Sequence, residues 1–508
     1  MSTLDAVPGI VAIAVVTVAT LAIGTWGLRI SRTTSDFMVA SRSVNPRLNA
    51  SAISGEYLSA ASFLGVAGLV LAFGADMLWY PIGWTAGYLV LLVLVAAPLR
   101  RSGAYTLPDF AEARLASRPV RAACSVLVVA IGWLYLLPQF QGAGITLRSA
   151  VGAPSWVGPV LVGVIVLANV TSGGMRSITF VQAFQYWLKL TALLVPLAVL
   201  VVVWLGDGSP GARGAGAGDP AWSVPLAGDG GGPGLYTTYS LILATFLGTM
   251  GLPHVVVRFY TNPDGRAARR TTLVVLALLG AFYLLPPAYG ALGRVYAPEH
   301  AGSGSDVIVL ELPRLMVSGL GGEVLTGLVT AGAFAAFLST ASGLAIAVAG
   351  VLSQDVTSRG PRGRRIGGVT AFRLAAVLAV SVPVLTALAA PHVGVARVVG
   401  LAFAVAASTF GPLLLLGIWW WRLTDVGAIA GLVLGGLGSA VAVAHTLAGE
   451  PVDGWGGVLL AQPAAWTVPL AASAMVIGSL LTPSRVPGHT RRLMVRLHTP
   501  EALGLDRA

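Results

Sequence analysis

The chain is a succession of long apolar blocks, each close to the roughly 20 residues that a helix needs to cross the ~30 Å hydrocarbon core of a bilayer. They fall near 8–28, 48–72, 78–98, 120–147, 155–172, 178–205, 236–260, 272–293, 322–350, 368–390, 394–420, 425–446 and 465–482. Lipid offers no partner for backbone N–H and C=O groups, so blocks of this length are expected to be helices. Only 10% of the 508 residues are charged and the mean hydropathy is +0.82, whereas soluble domains carry about 25% charge. The connections are short and leave no room for a soluble catalytic or sensory domain. The expected fold class is an all-α polytopic membrane protein of about 13 transmembrane helices.

The net charge of +11 is distributed as a topology signal and not as a nucleic-acid-binding stripe. Arg29, Arg32, Arg42 and Arg47 follow the first block, and Arg100, Arg101, Arg114, Arg118 and Arg121 follow the third. Arg266, Arg269 and Arg270 follow the seventh, Arg359, Arg362, Arg364 and Arg365 the ninth, and Arg485, Arg491, Arg492, Arg496 and Arg507 lie in the tail. The intervening loops hold scattered single arginines: Arg148, Arg213, Arg294, Arg314 and Arg397. The positive-inside rule then predicts a plasma-membrane protein with its N-terminus outside and its C-terminus cytoplasmic. The first block follows Asp5 with no basic residue before it, and is too long for a signal-peptide core, so it reads as an uncleaved helix. Cys124 is the single cysteine, so neither a disulfide nor a cysteine-based metal site is available. Segment 206–234, rich in Gly and Pro, reads as a flexible outer connector.

Polar residues inside the blocks mark the candidate site, because irregular backbone at membrane depth is tolerated only where it lines protein or a cavity. In the second block Gly55 and Glu56 lie among Ser51, Ser54, Ser59 and Ser62. This can be a small-residue packing face or a broken helix. Glu56 favours the latter, since a carboxylate near mid-membrane marks an ion or proton path by default. In the ninth block Ser339, Thr340 and Ser342 crowd an Ala/Leu/Val helix. They can bond back to carbonyls one turn earlier or, with unwound carbonyls of the second block, supply oxygens to Na+. Gln139, Gln141, Gln182, Gln185, Lys189, Thr245, Thr249, His254 and Arg258 are also embedded. Pro138 can open its helix. Lys189 and Arg258 lie toward the cytoplasmic ends of their blocks, where snorkelling is the plain reading and the expectation for Arg258; packing is expected for His254. Trp79, Tyr80 and Trp84 fit an interfacial aromatic belt, and Gly427, Gly431 and Gly435 mark close helix packing.

The string Ser54-Gly-Glu-Tyr-Leu-Ser-Ala-Ala-Ser-Phe-Leu-Gly65 resembles the first core helix of the sodium/solute symporter family, especially its cation/acetate (monocarboxylate) branch. Gly173-Gly-Met-Arg-Ser-Ile-Thr-Phe-Val-Gln182, the run from Phe180 to Lys189, and Pro253-His-Val-Val-Val-Arg-Phe-Tyr-Thr-Asn-Pro-Asp264 resemble the same family. The likeness covers roughly residues 35–425, with Asn169 as a minor departure. It implies an inverted 5+5 repeat of the sodium-coupled leucine transporter type. The implied divisions are an extra helix and cytoplasmic loop (1–47), a first five-helix repeat (48–205), an extracellular loop (206–235), a second repeat (236–420), two accessory helices (421–483) and a basic tail (484–508). It also implies a Na+ site built from carbonyls of Gly55, Leu58 and Ala336 and hydroxyls of Ser339 and Thr340. A substrate cavity would be lined by Glu56, Tyr57, Ser62, Phe63, Gln139, Gln141, Thr249 and Met250.

The implied activity is secondary uptake of a small monocarboxylate such as acetate, propionate or pyruvate, with Na+ (or H+) as coupling ion, no cofactor and no transition metal. The same fold could instead carry proline or another amino acid, a sugar or a vitamin. A membrane sensor is disfavoured by the short basic tail. An intramembrane hydrolase is disfavoured by the lack of HExxH and GxSxG motifs.

Overall fold

The computed structural model describes residues 7–27, 44–211, 220–226, 232–302, 304–357, 367–389, 394–449 and 452–503. Asp5 and the arginines at 29, 32, 42, 213, 359, 362, 364, 365 and 507 lie outside the described residues. Among the described residues the secondary structure is helical, with no strand. The elements that position the site are α1 (Val7–Gly27), α2 (Pro46–Tyr57), α3 (Val66–Phe73), α4 (Trp79–Val90), α5 (Arg118–Val151) and α6 (Val157–Gly206). There follow α7 (Gly232–Gly251), α8 (Pro253–Phe259), α9 (Gly265–Tyr283), α10 (Leu320–Leu352), α11 (Val395–Trp419), α12 (Asp425–Ala448) and α13 (Ala464–Leu481).

Among the described residues ten helices are long and apolar enough to cross a membrane, or eleven when the bent pair α7 and α8 counts as one span. Two of the ten are long enough for two crossings. Helix α6 has 50 residues, about 75 Å of helix, and turns at Gly174 (φ 57°, ψ −154°), a conformation open to glycine. The 42-residue run Ala61–Ser102 is likewise interrupted at Gly74, where φ is 76°. With those divisions the helices follow the apolar blocks of the sequence.

The helix ends carry their own signals. Asn45 accepts from Arg47 N at the start of α2 with Pro46 in the first turn; Asp264 accepts from Ala267 N at the start of α9; Thr424 caps α12. Helices α10 and α11 form the centre, 94% and 89% buried over their apolar windows, against 33% for α1 and α13 at the rim. Gly427, Gly431 and Gly435 on α12 lie where a Cβ would strike α13 or the Ser408 carbonyl, so they do serve close packing.

The described Arg-rich segments share one face, as an alternating topology requires. Arg101 pairs with Glu501 in the tail (3.2 Å) and Arg485 with Asp425 (2.7 Å). Arg121 reaches Asp109 and Glu112 at 2.8 Å and Asp355 at 2.9 Å. Buried Arg114 donates to the carbonyls of Gly417 (2.9 Å) and Trp420 (3.0 Å) at the end of α11, and its burial lowers its pKa to about 10. The 206–234 connector is more than a flexible strap. Trp222 donates its indole N–H to Val70 O (3.0 Å) at the end of α3, and Leu226 N donates to Asp76 (2.7 Å). A large aromatic with a polar tip gives the Gly-rich segment something to dock.

Candidate functional site

The first broken helix is interrupted at Leu58 and Ser59, between α2 and the π-turn Ala61–Gly65 that leads into α3. The interruption therefore lies just past Gly55 and Glu56, which are still helical. Gly55 has a packing role instead: a Cβ there would strike the Gln182 carbonyl of α6. The freed backbone groups find side-chain partners. Ala60 N donates to Gln139 Oε1 (3.0 Å) on α5, next to Pro138, which does not open its helix: α5 runs unbroken from Arg118 to Val151. Thr340 Oγ1 on α10 donates to Glu56 O (2.6 Å).

The oxygens expected to hold a cation do converge, and they converge on an ammonium. Lys189 of α6, fully buried, donates from Nζ to the Gly55 carbonyl, to Leu58 O (2.8 Å) and to Ser339 Oγ (2.7 Å). Ser339 passes its own proton to Ala336 O (3.0 Å). Gly55, Leu58 and Ser339 are thus gathered around Lys189, with Ala336 joined to them through Ser339, while Thr340 turns to the Glu56 carbonyl. The sequence marked Lys189 as embedded but assigned it no part in this cage.

Glu56 is committed elsewhere as well. Its carboxylate accepts from Arg258 Nε at 2.5 Å, with both side chains at most 2% exposed. Arg258 Nη1 also donates to Thr179 Oγ1 (2.9 Å). The snorkelling expected for Arg258 does not occur. A partner inside the protein is available, and the ion pair compensates both charges without reaching water, although Glu56 Oε1 and Arg258 Nη2 are buried without a hydrogen-bond partner. His254 packs edge-on against Tyr135, ring centroids 5.3 Å apart, as a packing histidine should.

The second broken helix lies opposite. Helix α7 ends at Gly251, Leu252 is extended (φ −70°, ψ 120°) and α8 starts with Pro253, bending the pair by 45°. Between the two breaks, Tyr57 donates its hydroxyl to Thr249 Oγ1 (2.8 Å), whose own proton goes to Thr245 O (2.7 Å). Ser62 Oγ bonds Tyr283 OH (2.9 Å). Trp84 sits 5.7 Å from Phe403 and 5.8 Å from Tyr283, ring to ring. Tyr80 and Trp84 therefore belong to a buried aromatic cluster between the breaks and not to an interfacial belt; neighbouring aromatics offer them more contact than headgroups would. Of the residues expected to line a substrate cavity, Tyr57, Ser62 and Thr249 meet here. Phe63 instead packs against Phe282 (6.3 Å) and beneath Gly332. Gln139 is occupied with the break, and Gln141 and Met250 are buried nearby along α5 and α7. Tyr283 and Phe403 were missed, because lone aromatics in apolar blocks look like lipid-facing or core residues.

A family model described as the sodium:solute symporter family matches residues 37–435. The chain is 30% identical to an uncharacterised symporter, YwcA, of Bacillus subtilis, over 94% of this chain and 96% of that one. It is 32% identical to a monocarboxylic acid transporter of Corynebacterium glutamicum, over 89% and 88%. A Na+-coupled sialic acid symporter solved in a substrate-bound outward-open state superposes with a TM-score of 0.72 at 15% identity, covering 94% of this chain and 98% of that one. A nucleobase–cation symport transporter in a closed conformation gives 0.53 at 16%, over 91% and 98%. The fold is that of the sodium-coupled leucine transporter type, and the relatives are transporters, not enzymes.

Proposed function

The chain belongs to the sodium:solute symporter family, and on that premise we propose that it takes up a small monocarboxylate such as acetate, propionate or pyruvate by cation-coupled alternating access. The observation that carries this reading is the meeting of two helix breaks in the buried interior, with α2 and α3 on one side, α7 and α8 on the other, and the Tyr57–Thr249 hydrogen bond between them. In secondary transporters, discontinuous helices of this kind bind solute and coupling ion between two repeats. The hydroxyls gathered between the breaks, those of Tyr57, Ser62, Thr249 and Tyr283, and the aromatic rings beside them suit an anion with a short apolar tail. The name of the Corynebacterium glutamicum relative points the same way.

Coupling has an electrostatic purpose. Moving one anion into a negative cell costs about 2.3 kcal/mol per 100 mV, and one accompanying positive charge cancels it. We place the Arg-rich face in the cytoplasm by the positive-inside rule. The cation would be Na+ or H+, with Gly55, Leu58, Ala336, Ser339 and Thr340 around its site, and the repeats 48–205 and 236–420 would move against each other. Proteoliposomes loaded under imposed Na+ or pH gradients test the reading with labelled acetate. Saturable uptake that unlabelled pyruvate inhibits and proline does not is the expected result. Transport of proline or glucose with none of acetate would overturn it.

A further inference from the structure

We propose that the ammonium of Lys189 is itself the cation of this site, standing where a free Na+ would otherwise bind, so that uptake needs no Na+. The inference rests on the symport reading above and decides between its two coupling ions.

Three of the five oxygens expected to face a free ion already accept from an ammonium. The Gly55 and Leu58 carbonyls and Ser339 Oγ accept from Lys189 Nζ. Ala336 O accepts from Ser339, and Thr340 Oγ1 donates its proton to Glu56 O. An ammonium has three N–H donors and no acceptor, and here three acceptors meet three donors. A Na+ ion added to the cage would compete for the same lone pairs and would lie against a like charge. The donor set as it stands does not fit the free ion.

The choice of side chain supports the assignment. Of 31 basic residues in the sequence, Lys189 is the lone lysine. Arginine is a wide, planar fork, whereas a lysine head is a compact point charge on a flexible stem. It is the side chain that most resembles an alkali ion. Held by neutral oxygens, it links α2 to α10 through α6, as an ion at that position would.

The charged neighbours leave the arrangement intact. Glu56 on α2 is the acid that acts on Lys189, and its carboxylate is paired with Arg258 of α8. On α10 the one titratable residue is Glu323, sixteen residues before Ser339 and hence about 24 Å away along the helix. Helix α1 has none. On α6 itself Tyr186 donates to Leu278 O (3.0 Å). From the helix Leu285–Tyr296, Tyr289 donates to Leu193 O (3.0 Å). Tyr135 of α5 packs against His254.

The test uses the full-length protein in proteoliposomes. Acetate counterflow by the wild type should change less than twofold when Na+ is replaced by choline, and an inward Na+ gradient alone should drive no accumulation. In Lys189→Met and Lys189→Ala the cage loses its occupant, and Na+ should then stimulate counterflow several-fold. Titrating Na+ against tryptophan fluorescence and thermal unfolding, without any solute, reads the site independently of the substrate. The expected result is no response in wild type and a saturable response, selective over choline, in the variants. Counterflow of wild type that stops without Na+, or a saturable wild-type response to Na+, overturns the inference. Absence of acetate and pyruvate counterflow in every sample overturns the substrate reading, and the Na+ titration then still decides the role of Lys189.

Discussion

The two helix breaks are made by different means. Between α7 and α8 the interruption is local to the chain. Pro253 lacks an N–H and enforces its own φ, Leu252 is extended, and Val256 N picks up Leu252 O at 3.0 Å as the next helix begins. Between α2 and α3 neither a proline nor a left-handed glycine marks the interruption at Leu58 and Ser59. That break is held open from outside, by Lys189 of α6, Gln139 of α5 and Thr340 of α10. A break encoded locally persists whatever its neighbours do. A break held by side chains of three other helices can change when those helices shift, which places the responsive element on the first one.

The largest effect should follow from Arg258→Ala. It leaves Glu56 buried with its guanidinium partner gone, and removing one member of a buried pair costs about 3–5 kcal/mol. Thermal unfolding in detergent should fall by many degrees. Arg258→Met combined with Glu56→Gln should recover much of the loss, because no charge is then stranded. An unfolding temperature unchanged in Arg258→Ala would mean that charge does not secure the first break.

Gln139→Leu against Pro253→Ala sharpens the comparison directly. The first leaves the buried Ala60 N–H unsatisfied, worth about 1–3 kcal/mol. The second adds an N–H at the first turn of α8, where an unbonded donor is ordinary, and should cost less than about 1 kcal/mol. Denaturant or heat unfolding of both variants measures the difference. Equal losses would erase the distinction between a break held from outside and one written into the chain.

Tyr57→Phe and Thr249→Ala each remove one hydrogen bond that joins the two broken helices. A neutral bond of this kind is worth about 0.5–1.5 kcal/mol, so half-saturating acetate should rise by no more than roughly tenfold, with protein abundance unaltered. Substrate titrations in proteoliposomes read it out. A loss of protein with unchanged half-saturation would make this contact structural.

Much of this arrangement was legible in the residues. Block length and charge scarcity led to the helices, and the alternation of arginines led to a shared face that Arg101, Arg121 and Arg485 now populate. The cluster of Ser and Gly around Glu56, and the hydroxyls of Ser339 and Thr340, led to the two helices that Lys189 joins. What could not be read was partnership across the fold. Arg258 lies 202 residues from Glu56 and Lys189 lies 131 from Leu58, and no periodicity reports which distant side chain will fill a cage. The aromatic cluster escaped for a related reason: Trp84, Tyr283 and Phe403 come from three separate passes, so Trp84 read as part of an interfacial belt and the other two as ordinary apolar residues.

The smallest effect belongs to the exit of the second broken helix, where partly buried charges replace fully buried ones. Glu501 in the tail accepts from Gly265 N (3.0 Å), at the start of α9, and from Arg101 Nε (3.2 Å). Partial burial works to raise its pKa, but its own and the Gly265 backbone N–H groups, together with Arg101, outweigh that and hold it below the usual carboxylate value. A carboxyl with a depressed folded pKa contributes stability above its unfolded value, near pH 4.3, and loses it as pH falls through the folded one. The clasp should therefore be intact at neutral pH and loosen only in acid. Glu501→Gln should cost less than about 1 kcal/mol, as half-exposed pairs do. Amide hydrogen exchange in Thr490–His498 should quicken slightly in the variant at pH 7, and wild type and variant should converge as the pH falls below 4. A variant as protected as wild type at pH 7 would show that the tail docks through Leu497 and the Arg101 contact to its carbonyl, and that charge plays no part at this end of the second helix.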